Sequence, residues 1–300
     1  MDALSTTAAL VTILQGDAPP AETPGNPPAA AVAPLEARPL TLDLAADAWF
    51  PRLVGDLTRG GAAIDTRDIG LSDSEVAFAG ELGVTVDRWR LAVSGFTFST
   101  DGTAGAESAF QFGGINVAAG DSLATSADWW GVGLDLSYAL WRPLDAKPFP
   151  WSEPGPAPAN PGPDGRSRVD FAIDPAFGLS YYDFSQSLTD RTQGLSTDFS
   201  GQWLGVRFGA DVAVDFHVKD LVGALDTLRL EVGATAGPTA PLSGGSGGWV
   251  VDLEAAFVLY ATPNVAARLG YRYLDADLEA DAGIASVSLQ GLFAGVGITW

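Results

Sequence analysis

From Leu40 onward, apolar and polar residues alternate with a period of two, the pattern of strands whose two faces meet different surroundings. Leu40, Leu42, Leu44, Ala46, Ala48 and Phe50 share one parity; Thr41, Asp43, Ala45, Asp47 and Trp49 hold the other. Val76–Val84, Val132–Leu140 and Val169–Tyr181 repeat the alternation, followed by Leu204–Phe216, Leu228–Val232, Trp249–Leu259 and Val265–Tyr273. With segments near 89–99 and 287–300, the set comes to about ten strands of about ten residues each. That spacing predicts an all-β, antiparallel, up-and-down barrel over residues 40–300, closed by pairing the last strand with Leu40–Phe50. Two places break the rhythm. Phe96 and Phe98 fall on the parity of Arg90, which fits either a bulge near Ser94–Gly95 or an extracellular extension of that strand. Phe293 shares parity with Gly291 and Gly295, so one ring is expected to point inward.

Alternation does not say which face is outside, and three further features decide it. The polar parity carries mostly Gly, Ala, Ser and carboxylates, small enough to fill a narrow wet lumen. Aromatic residues on the apolar parity gather at the strand ends, with Phe50, Trp130, Tyr181, Trp249 and Tyr273 near one rim. Trp89, Tyr138, Phe171, Phe216 and Trp300 stand near the other, so the two sets form girdles at head-group level. Connections alternate in length: 85–88 and 261–264 are tight, whereas 51–74, 100–128, 185–202 and 237–248 read as long loops rich in Gly, Ser, Asp and Thr. Short turns at one end and long loops at the other are the periplasmic and exterior ends of a transmembrane barrel. Both chain termini then lie on the periplasmic side.

Two segments fall outside this frame. Residues 1–39 contain one apolar stretch, Ala8–Leu14, without the basic flank of a signal peptide. They are expected to be the start of a mature chain, a short helix followed by a Pro- and Ala-rich, mostly disordered tether. Residues 142–168 sit at the short-turn end yet are long and Pro-rich, and read as a solvated periplasmic loop.

Composition narrows the function. The chain has 16 Lys and Arg against 37 Asp and Glu, a formal net charge of −21. Nucleic-acid binding needs a basic footprint and is excluded as an expectation. No apolar run reaches the length of a spanning helix. The absence of cysteine removes disulfides and thiolate metal sites. The single histidine, His217, closes the sixth strand at the periplasmic end, away from any outer-rim substrate, so no catalytic constellation is expected. Asp65, Asp68, Asp73 and Glu75 have tempting spacing for calcium but do not follow the EF-hand arrangement. A solvated acidic loop is expected there, with no metal or cofactor. Gly113–Gly114 and Gly244–Gly248 read as flexible loop tips.

The inward parity is the richest site. It places Asp43, Asp47, Glu75, Glu81, Asp135, Asp170, Asp174, Asp211, Asp215, Glu231, Asp252 and Glu254 in the lumen. Against them stand Arg90, Arg207, Arg229, Arg268 and Arg272. The same residues fit a charge network that fills a narrow barrel and a carboxylate-lined passage that favours cations.

The chain resembles bacterial outer-membrane barrel proteins over residues 40–300. The run Ile64–Glu75 is similar to a segment between the first two strands of some members, and Gly295–Trp300 is similar to their terminal strand with its C-terminal aromatic. The resemblance implies residence in the outer membrane among its lipids, and assembly by the barrel assembly machinery with Trp300 as part of the signal. It carries no activity. Three functions stay open: a structural barrel or narrow, cation-leaning pore for small solutes; a surface receptor or adhesion module acting through long loops; and, least favoured, an outer-membrane enzyme.

Overall fold

The alternating segments form thirteen strands in the computed structural model, which describes residues 40–60, 63–142, 169–219, 222–281 and 283–300. The expected tether over 1–39 and the Pro-rich segment over 143–168 lie outside the described residues. In chain order the strands are β1 (Leu40–Thr58), β2 (Ala63–Asp65), β3 (Ala77–Val86), β4 (Trp89–Gly105), β5 (Phe110–Phe112), β6 (Ile115–Val117), β7 (Ser122–Tyr138), β8 (Val169–Asp190), β9 (Leu195–His217), β10 (Thr227–Pro241), β11 (Gly247–Thr262), β12 (Val265–Ala280) and β13 (Gly283–Thr299). Ten of them, all but β2, β5 and β6, form a meander in which each strand pairs antiparallel with its neighbour in that order. β13 returns to β1 in continuous register from Asp43↔Thr299 to Thr58↔Ile284. Closure satisfies both edges, and Trp300 extends the seam through two backbone hydrogen bonds with Leu42.

The connections between the barrel strands set the shape of the two rims. The turns at 87–88 and 263–264 are two residues long, and Asp87 takes the left-handed conformation that such a turn needs (φ 60°). The opposite rim differs from the expectation of long loops. The segments 185–202 and 237–248 are mostly continued strand, and 100–128 continues β4 and β7 at its two ends: β8 and β9 run for 22 and 23 residues and are joined by only residues 191–194. Ser126, Ser185, Ser187 and Asp198 lie on the outer face of these ribbons, where water replaces lipid, whereas Thr100, Thr125, Thr197 and Thr239 are buried inside. Tyr182, Phe184 and Leu188 point inward and are buried, whereas Asp183, Ser185 and Ser187 on the other parity stay partly exposed.

β4 shows the same change. Its pairing runs without a register shift through Ser94, Gly95 and Phe96 with both β3 and β7, and on through Phe98 with β7. There is no bulge; the strand extends to Gly105, and both phenyl rings enter the barrel. Phe293 also points inward, 2% exposed.

The interior therefore has two zones. On β1 the inward parity begins with Asp43 and Asp47 and continues with Trp49, Leu53 and Leu57, all three essentially fully buried. On β12 it begins with Arg268 and Arg272 and continues with Leu274, Ala276 and Leu278. The expectation of a polar interior holds for the half nearest the short turns and is corrected for the other half, which is a packed apolar plug. Two connections complete that plug. The loop after β2 buries Ile69 and Leu71, and the β5–β6 hairpin buries Phe112, Ile115 and Val117.

Gly113 and Gly114 form the hairpin's two-residue turn, both at positive φ (56° and 88°). Gly113 is no free tip: its N–H donates to the Arg59 carbonyl, and a Cβ there would lie 2.1 Å from the Thr197 hydroxyl.

Candidate functional site

The outer surface defines what surrounds the barrel. Phe257, Leu269, Phe208, Leu292 and Phe78 are each 57% exposed or more, and they belong to a continuous apolar band. On β7 the band runs outward from Trp130 to Tyr138. Nine residues rising about 3.3 Å each, at a tilt of about 40°, cover about 23 Å, the height of the apolar band of a transmembrane barrel. The expected rings stand on this outer face, with Trp89 packed on Tyr138 (4.6 Å between ring centroids) and Trp130 on Tyr181 (5.0 Å). An apolar belt wrapped around charged side chains inverts the arrangement of a water-soluble barrel. The molecule is a transmembrane β-barrel of the outer-membrane type.

Inside the belt lies a cavity of about 720 Å³. Its lining includes Asp43 and Asp47 from β1, Glu81 from β3, Asp135 from β7, Asp170 and Asp174 from β8, and Arg207, Asp211 and Asp215 from β9. Arg229 and Glu231 from β10, Asp252 and Glu254 from β11, and Arg268 and Arg272 from β12 complete the ring together with Arg90 from β4. Every other residue of each strand faces inward, so alternate positions of adjacent strands meet across the sheet. Glu75 is the exception among the inward assignments. It precedes β3, its N–H donates to the Pro51 carbonyl at the far end, and it does not line the cavity.

The lumenal arginines are each committed to carboxylates. Arg90 bonds Asp43 and Glu81, Arg207 bonds Asp135, and Arg229 bonds Asp215 and Glu231. Arg268 spans from Asp47 (2.7 Å) to Glu254 (2.9 Å), and Arg272 holds Asp252 (2.6 Å). Small residues make room for these bridges: a Cβ on Gly83 would lie 2.2 Å from the Asp43 carboxylate, and one on Gly133 would meet the Arg207 guanidinium. Asp174 and Asp211 differ from the rest. They face each other in the β8–β9 register and form no ion pair among the described residues.

The cavity ends where guanidinium groups meet aromatic rings. Arg272 lies over Trp49 (5.3 Å) and Phe96 (5.8 Å), and Arg268 over Phe293 (5.5 Å). Beyond these rings the interior is the apolar plug. Toward the short turns the lining ends in Thr41, Arg88, Arg142, His217, Asp226, Pro263 and Thr299, so the cavity is a cup whose mouth is on the side of the termini. Arg88, Arg142 and Asp226 lie in connections, where alternation carries no signal; no sequence pattern marks them. The plug does have a signal: the apolar parity switches, from even to odd along β1 and from odd to even along β12, with no residue inserted.

His217 sits at the mouth, its Nε2 3.2 Å from Asp170 and its Nδ1 3.1 Å from the Thr227 hydroxyl, so it ties β8, β9 and β10 together. In the acidic loop, the Asp65 carboxylate takes a bidentate hydrogen bond from Arg67, which holds its pKa below the usual carboxylate range. Among the described residues no group of three or more His, Asp or Glu converges as a metal site.

No protein-family model matches the chain, and no curated protein does. Solved structures similar to it include the outer membrane protease OmpT from Escherichia coli, at 9% identity over 87% of this chain and 96% of that one, with a TM-score of 0.44. The transport unit of the autotransporter AIDA-I from Escherichia coli matches at 10% identity over 90% and 92%, with a TM-score of 0.38. An outer membrane channel from Pseudomonas putida F1 matches at 10% identity over 89% and 98%, with a TM-score of 0.29. Nothing about activity follows from likeness at these values.

Proposed function

We propose that this chain is an integral barrel of the bacterial outer membrane with a structural role, holding a charged cup open to the periplasm and no ion pathway across it. The observation that carries this reading is the two-zone interior. Wall side chains such as Trp49, Trp129, Trp203, Phe184 and Leu289, all 0% exposed, fill the half of the barrel nearest the exterior, and two connections lie over them. The lumenal carboxylates favour cations, but this acts on solutes entering the cup rather than on transit. Between the structural and the cation-leaning pore readings, the plug favours the first.

Planar-bilayer recording of the purified, heat-modifiable protein tests it. The expected result is no stepwise conductance in potassium chloride, and reproducible cation-selective steps would overturn the structural reading. The receptor reading has one observation in its favour: β8 continues nine residues past Tyr181, about 23 Å of ribbon with a polar outer face beyond the apolar band at the same tilt. Removing residues 185–200 and measuring cell-surface binding addresses that alternative.

A further inference from the structure

The plug is not uniformly dry. Its β12–β13–β1 wall is aliphatic: Leu274, Leu278, Val287, Leu289, Leu53 and Leu57 are at most 1% exposed. Along β8 the inner face instead carries Ser180, Tyr182 and Gln186 among its apolar residues, all at most 3% exposed. Their polar side-chain atoms have no hydrogen-bond partner among the described residues, and both ends of the Gln186 amide share that condition.

Neighbouring strands add matching orphans at the same levels. Ser180, Gly205 and Thr239 share one register level across β8, β9 and β10, and the Thr239 hydroxyl also has no partner. The Arg207 Nε, two residues along β9, is a further buried donor without an acceptor. Higher in the plug, Thr100 and Gln186 flank Ala127 at one level, and Trp129 stands at the next inward position of β7. The Thr100 hydroxyl and the Trp129 indole N–H are likewise unpaired.

An unsatisfied buried polar group costs about 1–3 kcal/mol, and native interiors rarely leave one, let alone eight atoms along one wall. Water resolves this most simply, because one molecule both donates and accepts and so serves mixed partners. At the lower level the room exists. A void of about 10 Å³ bounded by Tyr182, Arg207, Gly131 and Gly133 adjoins the floor of the cup, and about that volume is what one water requires.

We propose that the inner face of β8 holds buried structural waters at two levels. One lies at the cup floor between Tyr182 and Arg207, next to the level of Ser180 and Thr239, and one lies in the plug among Thr100, Trp129 and Gln186. The β8 wall is thereby the hydrated side of an otherwise dry seal. Tyr182 and Trp129 present their polar atoms to these waters, and their rings pack with the apolar wall. This inference concerns the interior alone and does not depend on whether the barrel conducts.

The test is a crystal structure of the detergent-solubilised protein fine enough to show ordered water, with thermal unfolding of Gln186→Met and Tyr182→Phe alongside. The expected result is water density within hydrogen-bond distance of the Gln186 amide and of the Tyr182 hydroxyl. Gln186→Met should then lose the upper water and lower the unfolding temperature, because a satisfied amide is removed and its water displaced. Two results would overturn the proposal. One is a plug without water density at these groups. The other is a Gln186→Met variant that unfolds at a higher temperature, the response of a dry site in which an unsatisfied amide gives way to an apolar chain of similar size. Tyr182→Phe keeps the ring, so a variant that folds but loses only the lower water separates the two levels.

Discussion

Trp49→Ala would remove the ring on which the cup ends and the plug begins. Trp49 is 0% exposed, packs edge-on to Phe96 with 6.1 Å between centroids, and lies under the Arg272 guanidinium. Its indole N–H donates to the Gly291 carbonyl at 3.3 Å. Truncating a buried Trp to Ala costs about 3–5 kcal/mol, the spread reflecting how far the site collapses. Collapse is limited here because the flanking rings stand on strands held in register on both sides, and Gly291 cannot extend to fill the space. The loss of an edge-to-face pair and of a cation over the ring, about 1 kcal/mol each, pushes the expectation toward the upper end. The expected cost is about 4–5 kcal/mol.

Trp130, at the neighbouring level of β7 but outward and 41% exposed, supplies the control. Trp130→Ala exchanges one lipid contact for another and should cost about 1 kcal/mol, the centre of ordinary point-mutant effects. Both values come from urea unfolding in lipid vesicles, with the folded fraction read as the heat-modifiable band and extrapolated linearly. A Trp49→Ala cost no larger than that of Trp130→Ala would refute the placement of Trp49 in a packed plug.

Three further outcomes follow from named contacts. Arg268→Met leaves Asp47, only 10% exposed at the floor of the cup, and Glu254 charged without their ion-pair partner and should cost about 3–5 kcal/mol in the same unfolding assay; adding Asp47→Asn and Glu254→Gln should recover most of it, and a neutral single variant would mean the network is solvated. Asp121 anchors the loop after β6 by accepting from the Gln193 amide and the Ala118 N–H, and these bonds hold its pKa below the usual carboxylate range. A lowered folded pKa means its contribution is present above the unfolded pKa and is lost as pH falls through the folded value. The protection of the Ala118 N–H, its exchange rate relative to the intrinsic rate at each pH, should therefore hold from neutral pH down into the carboxylate range and fall only below it; protection already lost above pH 5 or so would contradict this linkage. Deleting Trp300 removes the last backbone pair with Leu42 and the outward aromatic at the inner rim, so the heat-modifiable fraction in outer membranes should fall and Trp300→Phe should restore it; an unchanged fraction would dismiss the residue as an assembly determinant.

The sequence by itself determined the membrane-level part of the ten barrel strands, their antiparallel order, the closing pair and the side on which the residues of that part lie. It could do so because a strand has a strict period of two and a barrel has no free edge, so the parity of Asp43, Arg90, Asp211 or Arg268 translates directly into inward or outward. The aromatic girdles and the tight turns were legible for the same reason, being local in sequence. What only the tertiary structure decided is the surroundings at each height along a strand. Asp47 and Trp49 share a parity, as do Arg272 and Leu274, yet one of each pair lines a wet cup and the other a dry plug. The change comes where lipid outside gives way to water, so the outer face turns polar and the inner face takes over the apolar burial. Along the chain this is a switch of apolar parity, which at Phe96 and Phe98 has the same appearance as a bulge. The bonding of the lumenal arginines was beyond the pattern too, since Arg268 meets Asp47 across 221 positions of chain and only closure brings the two together.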